Sequence, residues 1–232
     1  MAHRVPNLYD APYLQIAFDI TNMDDVDRVL SQVPKDNHVI IEVGTPLVKK
    51  HGLGVIRELR SIYPDAFIVA DLKTLDVGQL EVDLAYDDTA DAVVVSGLAP
   101  KETQNSFIAE ARKLKIHSFM DMMAVKEPLE VLKGLDQLPD VVILHRGIDE
   151  EKGGKTRWEL IKRIKESLKS ATLLFAVAGG IEPSVTMEAL LAGADILIVG
   201  RYITQSKNVE SAVKDFLAVM ERYATEFKPC LT

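Results

Sequence analysis

A six-residue segment, Asp71-Leu72-Lys73-Thr74-Leu75-Asp76, sets two carboxylates around one amine directly after an apolar run. Carboxylates beside an ammonium group can move protons and stabilise developing charge, so the segment predicts acid–base or electrostatic catalysis. Asp71 and Lys73 are two residues apart and point to the same side of an extended chain. Asp76 has an equal second interpretation, as the N-cap of the next helix.

Three more acids, Asp19, Glu42 and Asp121, end apolar runs in the same way. Any one of them could equally be a helix cap or a loop residue. Acids are disfavoured in strands and are seldom buried without a partner, however, so the whole set favours one shared site. We expect Asp19 and Asp121 to orient substrate hydroxyls, Asp19 as a catalytic residue and Asp121 as a substrate-binding one.

Crowded carboxylates repel one another unless a cation lies between them. Lys73 supplies one positive charge, and a divalent metal is the expected second. Glu42 and Asp71 end neighbouring strands, which lie about 4.8 Å apart, so both carboxylates can reach one ion. Oxygen ligands completed by water and substrate oxygens suit Mg2+, and we predict a Mg2+ site on Glu42 and Asp71.

His145 ends a very apolar run and is followed by Arg146. A single histidine in such a run is often a satisfied core residue. The position at the end of a strand and the titration of imidazole near neutral pH favour proton transfer instead. We therefore predict that His145 is a proton shuttle and that Arg146 binds substrate.

Two glycine-containing turns follow the last two apolar runs: Gly179-Gly180-Ile181 and Gly200-Arg201. Glycine lets the backbone approach a ligand closely, and the N-terminus of a following helix favours an anion. In an eight-unit α/β barrel these two loops often bind phosphate. The pair of turns therefore predicts a phosphate site built from backbone N–H groups.

Eight short apolar runs must position these residues, and they alternate with amphipathic segments. Runs of this length, rich in β-branched residues, predict buried parallel strands. They cover residues 13–19, 38–43, 66–71, 92–96, 116–121, 141–145, 173–178 and 196–199. Eight alternations predict a single-domain (β/α)8 TIM barrel with its active site at the carboxyl ends of the strands. A doubly wound open sheet is the alternative, and it suits eight units in 232 residues less well.

The remaining segments fit this architecture. We assign residues 1–12 to an N-terminal extension and residues 13–228 to the barrel domain. Helical patterns cover residues 23–33, 48–63, 101–114, 156–169, 183–192 and 208–227. Residues 152–155 (Lys-Gly-Gly-Lys) predict a loop after the sixth strand.

Composition argues against several classes of function. The net charge is −8 and there is no basic stripe, so we expect no nucleic-acid partner. No segment reaches the ~18 apolar residues of a membrane span. The one cysteine, Cys230, cannot form an internal disulfide and fits a reducing compartment. The sequence begins without a secretory signal pattern, and we expect a cytoplasmic protein.

With these residues located, the chain resembles the orotidine-monophosphate decarboxylase superfamily, whose Asp-x-Lys-x-x-Asp signature is present at residues 71–76. Within that group it is most similar to the 3-hexulose-6-phosphate synthase family. The similarity extends in register from residue 13 to about residue 220. The matching segments are 15–19, 41–47, 70–78, 121–123, 145–149, 177–181 and 199–204.

The resemblance implies a Mg2+-dependent aldolase. It would condense D-ribulose 5-phosphate with formaldehyde, reversibly, to D-arabino-hex-3-ulose 6-phosphate through a metal-stabilised enediolate. The resemblance also implies a homodimer with shared active sites, in which Asp76 serves the partner's site rather than a helix cap. Some relatives carry a formaldehyde-activating domain ahead of the barrel. About a dozen residues precede the first strand here, so we expect that activity to be absent.

Three alternative functions remain open. Orotidine 5'-monophosphate decarboxylases carry a Lys at the position of Glu42 and use no metal, so Glu42 disfavours them. 3-Keto-L-gulonate-6-phosphate decarboxylases share the Glu and the metal. Asp121-Met122-Met123 resembles the synthase pattern more closely than theirs, whereas Arg146 is not the usual synthase residue. The third alternative is a non-catalytic sugar-phosphate-binding barrel, against which the set of opposed charges argues.

Overall fold

Eight parallel strands close into a barrel in the computed structural model, which describes residues 7–147, 158–170 and 172–227. Each strand pairs with the next along the chain, and the last pairs with the first. The strands are β1 (Tyr13–Phe18), β2 (Val39–Val43), β3 (Phe67–Thr74), β4 (Ala92–Ser96), β5 (His117–Asp121), β6 (Val141–His145), β7 (Leu174–Ala178) and β8 (Ile196–Val199). The single-domain (β/α)8 barrel predicted from the sequence is confirmed.

Helices connect the strands. The described helices are α1 (Met23–Leu30), α2 (Thr45–His51), α3 (Gly54–Ile62), α4 (Gly78–Asp87), α5 (Lys101–Leu114), α6 (Pro128–Gly134), α7 (Glu159–Leu168), α8 (Pro183–Leu191), α9 (Arg201–Thr204) and α10 (Val209–Glu226). The sequence pattern misses α4, α6 and α9. The first is only weakly amphipathic, and the other two are only seven and four residues long.

The prediction of one helix over residues 48–63 is wrong. The structure has two helices there, because Gly52 adopts φ +75°. That left-handed conformation cannot continue a right-handed helix and is the usual glycine device for ending one. The helix α2 instead begins at Thr45, two residues after β2 ends. Its first turn therefore lies at the carboxyl end of the barrel, where the site is expected.

Side chains along each strand alternate between two apolar layers, as the pleat requires. One layer fills the barrel interior, and the other packs between the strands and the helices. In β1, for example, Tyr13 and Ala17 belong to the interior layer, and Ile16 to the outer one. Continued at the same period of two, the interior rows end in polar side chains at the carboxyl end of the barrel: Asp19, Glu42, Asp71, Asp121 and His145.

Three aspartates precede even-numbered strands at the amino end of the barrel, and each carboxylate accepts a hydrogen bond from the backbone of the preceding strand. The pairs are Asp91 with Ile68 N (2.7 Å), Asp140 with Ser118 N (2.8 Å) and Asp195 with Phe175 N (2.9 Å). The sequence interpretation gave these residues no role. These hydrogen bonds satisfy backbone N–H groups at the end of the barrel remote from the active site, so the role of the three aspartates is structural.

The segment before β1 also contributes to the barrel. Leu8, which the sequence interpretation assigns to an N-terminal extension, is buried in the interior layer. No helix in the described part of the chain is long and apolar enough to cross a membrane. The predicted loop at residues 152–155, the start of the predicted helix at residue 156 and Cys230 lie outside the described residues.

Candidate active site

A cavity of about 690 Å3 opens at the carboxyl end of the barrel. The polar residues that end the interior rows and both glycine turns form its walls. Of the site residues predicted from the sequence, it is lined by Asp19, Glu42, Asp71, Lys73, Asp121, His145, Gly179, Gly180, Ile181, Gly200 and Arg201. Because these residues come from seven strands and the loops after them, only closure of the barrel brings them together.

The ammonium group of Lys73 bridges carboxylates from two strands. Its Nζ lies 2.8 Å from Asp71 Oδ2 and 2.8 Å from Asp121 Oδ2. Burial disfavours the charge on this lysine, but the two carboxylates outweigh burial and raise its pKa. Lys73 is therefore a charged hydrogen-bond donor at neutral pH, and it lacks the free amine that a Schiff-base nucleophile needs.

The backbone reaches this arrangement by an irregularity and not by the regular extended strand that the sequence suggested. Lys73 adopts φ +46°, a conformation that is uncommon outside glycine. Between Ala70 and Thr74, β3 uses four residue steps where β4 uses two, from Val93 to Val95. A bulge of this kind re-aims a side chain. Here it turns Lys73 towards Asp71 and across to β5.

Asp121 is nearly fully buried, and three polar groups of the protein contact its carboxylate. Its Oδ1 accepts from the backbone N–H of Met123 at 2.8 Å. Its Oδ2 accepts from Lys73 Nζ and lies 2.8 Å from His145 Nδ1. Burial by itself would raise the pKa of Asp121, but His145 and Lys73 lower it to about 2. These contacts favour a role in positioning Lys73 and His145, while direct binding of a substrate hydroxyl by Asp121 stays a prediction.

Asp19, Glu42 and Asp71 lie near one another in the cavity wall. Burial and repulsion by Asp71 and Asp19 raise the pKa of Glu42 well above its ordinary value. Asp19 is exposed to the cavity, yet partial desolvation by the concave wall and repulsion by Asp71 raise its pKa too. Room for Asp19 depends on Gly44, where a Cβ atom would lie 2.3 Å from Asp19 Oδ1.

The donor set of this wall fits a divalent cation. Glu42 and Asp71 end adjacent strands, and both line the cavity beside Asp19. Their mutual repulsion is the electrostatic condition that a bound cation relieves. The described residues contain no group of three or more His, Cys, Asp or Glu side chains in metal-binding geometry. Two carboxylates with water and substrate oxygens match the way proteins hold Mg2+, which keeps several of its waters.

Two residues that the sequence interpretation missed hold these carboxylates. Thr45 Oγ1 lies 2.8 Å from both the backbone oxygen and Oδ2 of Asp71. Gln15 Nε2 donates to Glu42 Oε2 at 2.5 Å. A signal for Gln15 was available, because it is a polar residue within an otherwise apolar strand. The signal for Thr45 was hidden by the helix that was predicted to start only at residue 48.

The two glycine turns lie side by side at the cavity mouth. Gly179 and Gly180 have φ +94° and +69°. A Cβ atom on Gly179 would lie 2.0 Å from the backbone oxygen of Arg146, so only glycine fits there. Gly200 precedes α9, whose first residue is Arg201. Both turns line the cavity as predicted, and their role in binding phosphate stays a prediction.

Two predicted site residues lie away from the cavity wall. Arg146 donates from Nη2 to the backbone oxygen of Gly179 at 3.2 Å and so braces the first glycine turn. Asp76 is exposed, and its Oδ1 accepts from the N–H of the next residue, Val77, at 2.8 Å. Neither residue is among those that line the cavity. A substrate-binding role for Arg146 and a catalytic role for Asp76 both stay predictions.

Comparison with known proteins covers almost the whole chain. A family model described as "Orotidine 5'-phosphate decarboxylase / HUMPS family" matches residues 12–216. The bifunctional enzyme Fae/Hps of Methanothrix thermoacetophila is 52% identical over 222 residues, which are 96% of this chain and 56% of that protein. The chain thus spans little more than half the length of this relative.

Solved structures of the same architecture give a second comparison. A 3-hexulose-6-phosphate synthase from Salmonella typhimurium matches with a TM-score of 0.80 and 28% identity, over 91% of this chain and all of that one. A 3-keto-L-gulonate-6-phosphate decarboxylase from Vibrio cholerae matches with a TM-score of 0.75 and 24% identity, over 92% and 99%. At that identity the second match shows the shared fold alone.

Proposed function

This chain belongs to the orotidine 5'-phosphate decarboxylase / HUMPS family, and we propose that it is an aldolase of the 3-hexulose-6-phosphate synthase type. The substrates would be D-ribulose 5-phosphate and formaldehyde, and the product D-arabino-hex-3-ulose 6-phosphate, with Mg2+ as cofactor. The observation that carries the proposal is the chain of contacts from Asp71 through Lys73 and Asp121 to His145, beside Glu42. The similarity to Fae/Hps proteins and to solved synthases supports it.

The carboxylates of Glu42 and Asp71 would hold the cation, since they are the adjacent acids of the wall. When bound, Mg2+ would supply Lewis-acid stabilisation of negative charge on substrate oxygens. The phosphate would lie at the two glycine turns, near Arg201. In this arrangement the reacting carbons of the sugar would lie between the acids and His145.

His145 is the proposed base. With Nδ1 donating to Asp121, its Nε2 is left to accept a proton from C1 of ribulose 5-phosphate. The electron pair of that C–H bond then forms a double bond between C1 and C2, the negative charge moves to the C2 oxygen, and the result is an enediolate. C1 then forms a bond to the formaldehyde carbon while C2 becomes a carbonyl again, and the formaldehyde oxygen takes the proton back from His145 to become a hydroxyl. Lys73 would donate hydrogen bonds to the oxygens on which charge develops.

A decarboxylase acting on 3-keto-L-gulonate 6-phosphate is the second candidate. It would use the same acids and the same enediolate, with carbon dioxide leaving in place of proton removal. The observation that favours it is Arg146, which is not the usual synthase residue at the position after His145. The side chain braces the Gly179 turn and does not line the cavity, so its effect on the choice of substrate would act through that turn.

One assay separates these candidates. Purified protein is mixed with ribulose 5-phosphate, formaldehyde and Mg2+, and formaldehyde loss is followed with and without EDTA. Loss that stops with EDTA is the expected result. Carbon dioxide release from 3-keto-L-gulonate 6-phosphate without formaldehyde loss would favour the decarboxylase, and no turnover of either substrate would favour a binding protein. Trapping of an adduct at Lys73 by borohydride would contradict the enediolate route.

A homodimer with shared active sites is part of the proposal. The segment around Asp76 carries a set of exposed apolar side chains: Leu75, Val77, Leu80 and Leu84, each 43–57% exposed. Such a patch indicates a protein interface. Covering it with a second copy would place Asp76 at the boundary between subunits. We also propose a cytoplasmic location, with which the single cysteine agrees.

A further inference from the structure

Gln15 is a polar residue inside the barrel. It lies on β1 between Tyr13 and Ala17, two members of the interior apolar layer, and it is 0% exposed. Its Nε2 donates to Glu42 Oε2 at 2.5 Å. The amide of Gln15 therefore lies among apolar side chains of the barrel interior and contacts the Glu42 carboxylate.

The other end of the same amide is not satisfied. Gln15 Oε1 is buried and has no hydrogen-bond partner among the described residues. A buried carbonyl without a partner costs stability, whereas an apolar side chain of equal size would not. Packing and stability therefore do not account for a glutamine at this position.

We infer that Gln15 is a positioning residue, whose amide fixes one oxygen of Glu42 so that the carboxylate presents the other to a divalent cation. The inference rests on the proposed function, because it needs Glu42 to be a cation ligand. A neutral donor suits this task, since it orients the carboxylate without cancelling the charge that attracts the cation. Thr45 holds Asp71 Oδ2 with a hydroxyl in the same manner. Partners of this kind around ligating carboxylates set metal affinity.

The test replaces Gln15 by Met, which keeps the length and volume and removes the amide. Gln104→Met is the matched control, because Gln104 is another buried glutamine whose Nε2 donates only to the backbone oxygens of Gly97 and Ala99. Binding of Mn2+ is measured by titration calorimetry on the whole protein. Thermal unfolding is measured separately in EDTA.

We expect Gln15→Met to weaken Mn2+ binding by about 10-fold or more, the usual size for such partners, while Gln104→Met binds as the unchanged protein does. In EDTA, Gln15→Met should unfold at the same temperature or higher. Raising Mn2+ should restore its turnover, which a packing defect would not allow.

Two results would overturn the inference alone: unchanged Mn2+ affinity in Gln15→Met, or a thermal midpoint in EDTA below that of the unchanged protein. Failure of Gln15→Met to fold belongs to the second result, because it would assign Gln15 a structural role. Absence of saturable Mn2+ binding by the unchanged protein would instead remove the metal part of the proposed function, and the inference with it.

Discussion

Asp121 Oδ2 lies 2.8 Å from Nδ1 of His145, and this contact decides which imidazole nitrogen faces the substrate. Because Asp121 has its pKa lowered to about 2, it is a carboxylate at neutral pH and can only accept at this contact. Nδ1 therefore carries a proton, and in the neutral imidazole Nε2 is the acceptor. The same carboxylate fixes Lys73, so one residue sets the state of both groups proposed to act on the substrate.

Replacing Asp121 by Asn should lower kcat by about 100-fold or more, the size expected when a general base is lost. The amide can donate to Nδ1 and so favours the tautomer in which Nε2 carries the proton. Steady-state kinetics measure the effect. Asp140→Asn is the control, since Asp140 accepts from the backbone N–H and the hydroxyl of Ser118 at the other end of the barrel. A kcat for Asp121→Asn within a few-fold of the unchanged protein would contradict the proposed role.

Replacing Glu42 by Gln should remove activity and yet stabilise the protein in EDTA by about 0.5–2 kcal/mol, as relief of strain in an active site commonly does. The raised pKa of Glu42 means that the folded state disfavours the carboxylate. The sign follows from linkage: the destabilisation is absent below the ordinary carboxyl pKa and grows as pH rises towards the raised one.

Denaturant unfolding in EDTA from pH 4 to pH 8 measures this difference. The gain of Glu42→Gln over the unchanged protein should be smallest at pH 4 and largest at pH 8. Added Mn2+ should stabilise the unchanged protein and leave the variant unaffected. A variant that is less stable throughout this range would show that the Glu42 charge is already balanced by the protein.

Two arginine–aspartate pairs near the amino end of the barrel should differ in their effect on stability. Arg60 contacts Asp91 at 2.5 Å, and that carboxylate is 0% exposed. Arg57 contacts Asp88 at 2.6 Å with its own side chain 66% exposed. Asp91→Ala should lower the free energy of unfolding by about 3–5 kcal/mol, because it leaves a buried guanidinium without its counterion. Asp88→Ala should change it by less than ~1 kcal/mol.

Urea unfolding measures both changes. Mn2+ affinity should be the same in the two variants, since both positions lie far from the cavity wall. Equal stability losses would mean that burial does not determine the strength of these pairs.

Mixing two inactive variants tests whether Asp76 acts across the subunit boundary. Asp76→Asn and His145→Ala are unfolded together, refolded together and assayed. If Asp76 serves the partner's site, each mixed dimer has one site with both changes and one site with neither. Random pairing then restores about a quarter of the full activity.

Leu80→Glu supplies the control, because a charge in the exposed apolar patch should prevent dimer formation in gel filtration and abolish the restoration. Activity that stays at the level of the separate variants would place Asp76 in its own subunit's site or outside catalysis.

The sequence by itself determined the barrel and the residues that form the cavity. Local periodicity is enough for this, since apolar runs of strand length identify the strands, and the acid or histidine that ends five of these runs lies at the carboxyl rim. Asp19, Glu42, Asp71, Asp121 and His145 were all located in this way. A residue's position along a strand is a local property, so it can be predicted from the sequence of that strand alone.

Only the tertiary structure decided how those residues contact one another. The bulge at Lys73, the contacts of Asp121 with Lys73 and His145, and the hydrogen bonds from Gln15 and Thr45 depend on how neighbouring strands are aligned. The structure also ends α2 before Gly52 and begins it at Thr45, whose hydroxyl contacts Asp71. Side-chain partners across a barrel are set by closure and stagger, which no local sequence pattern encodes.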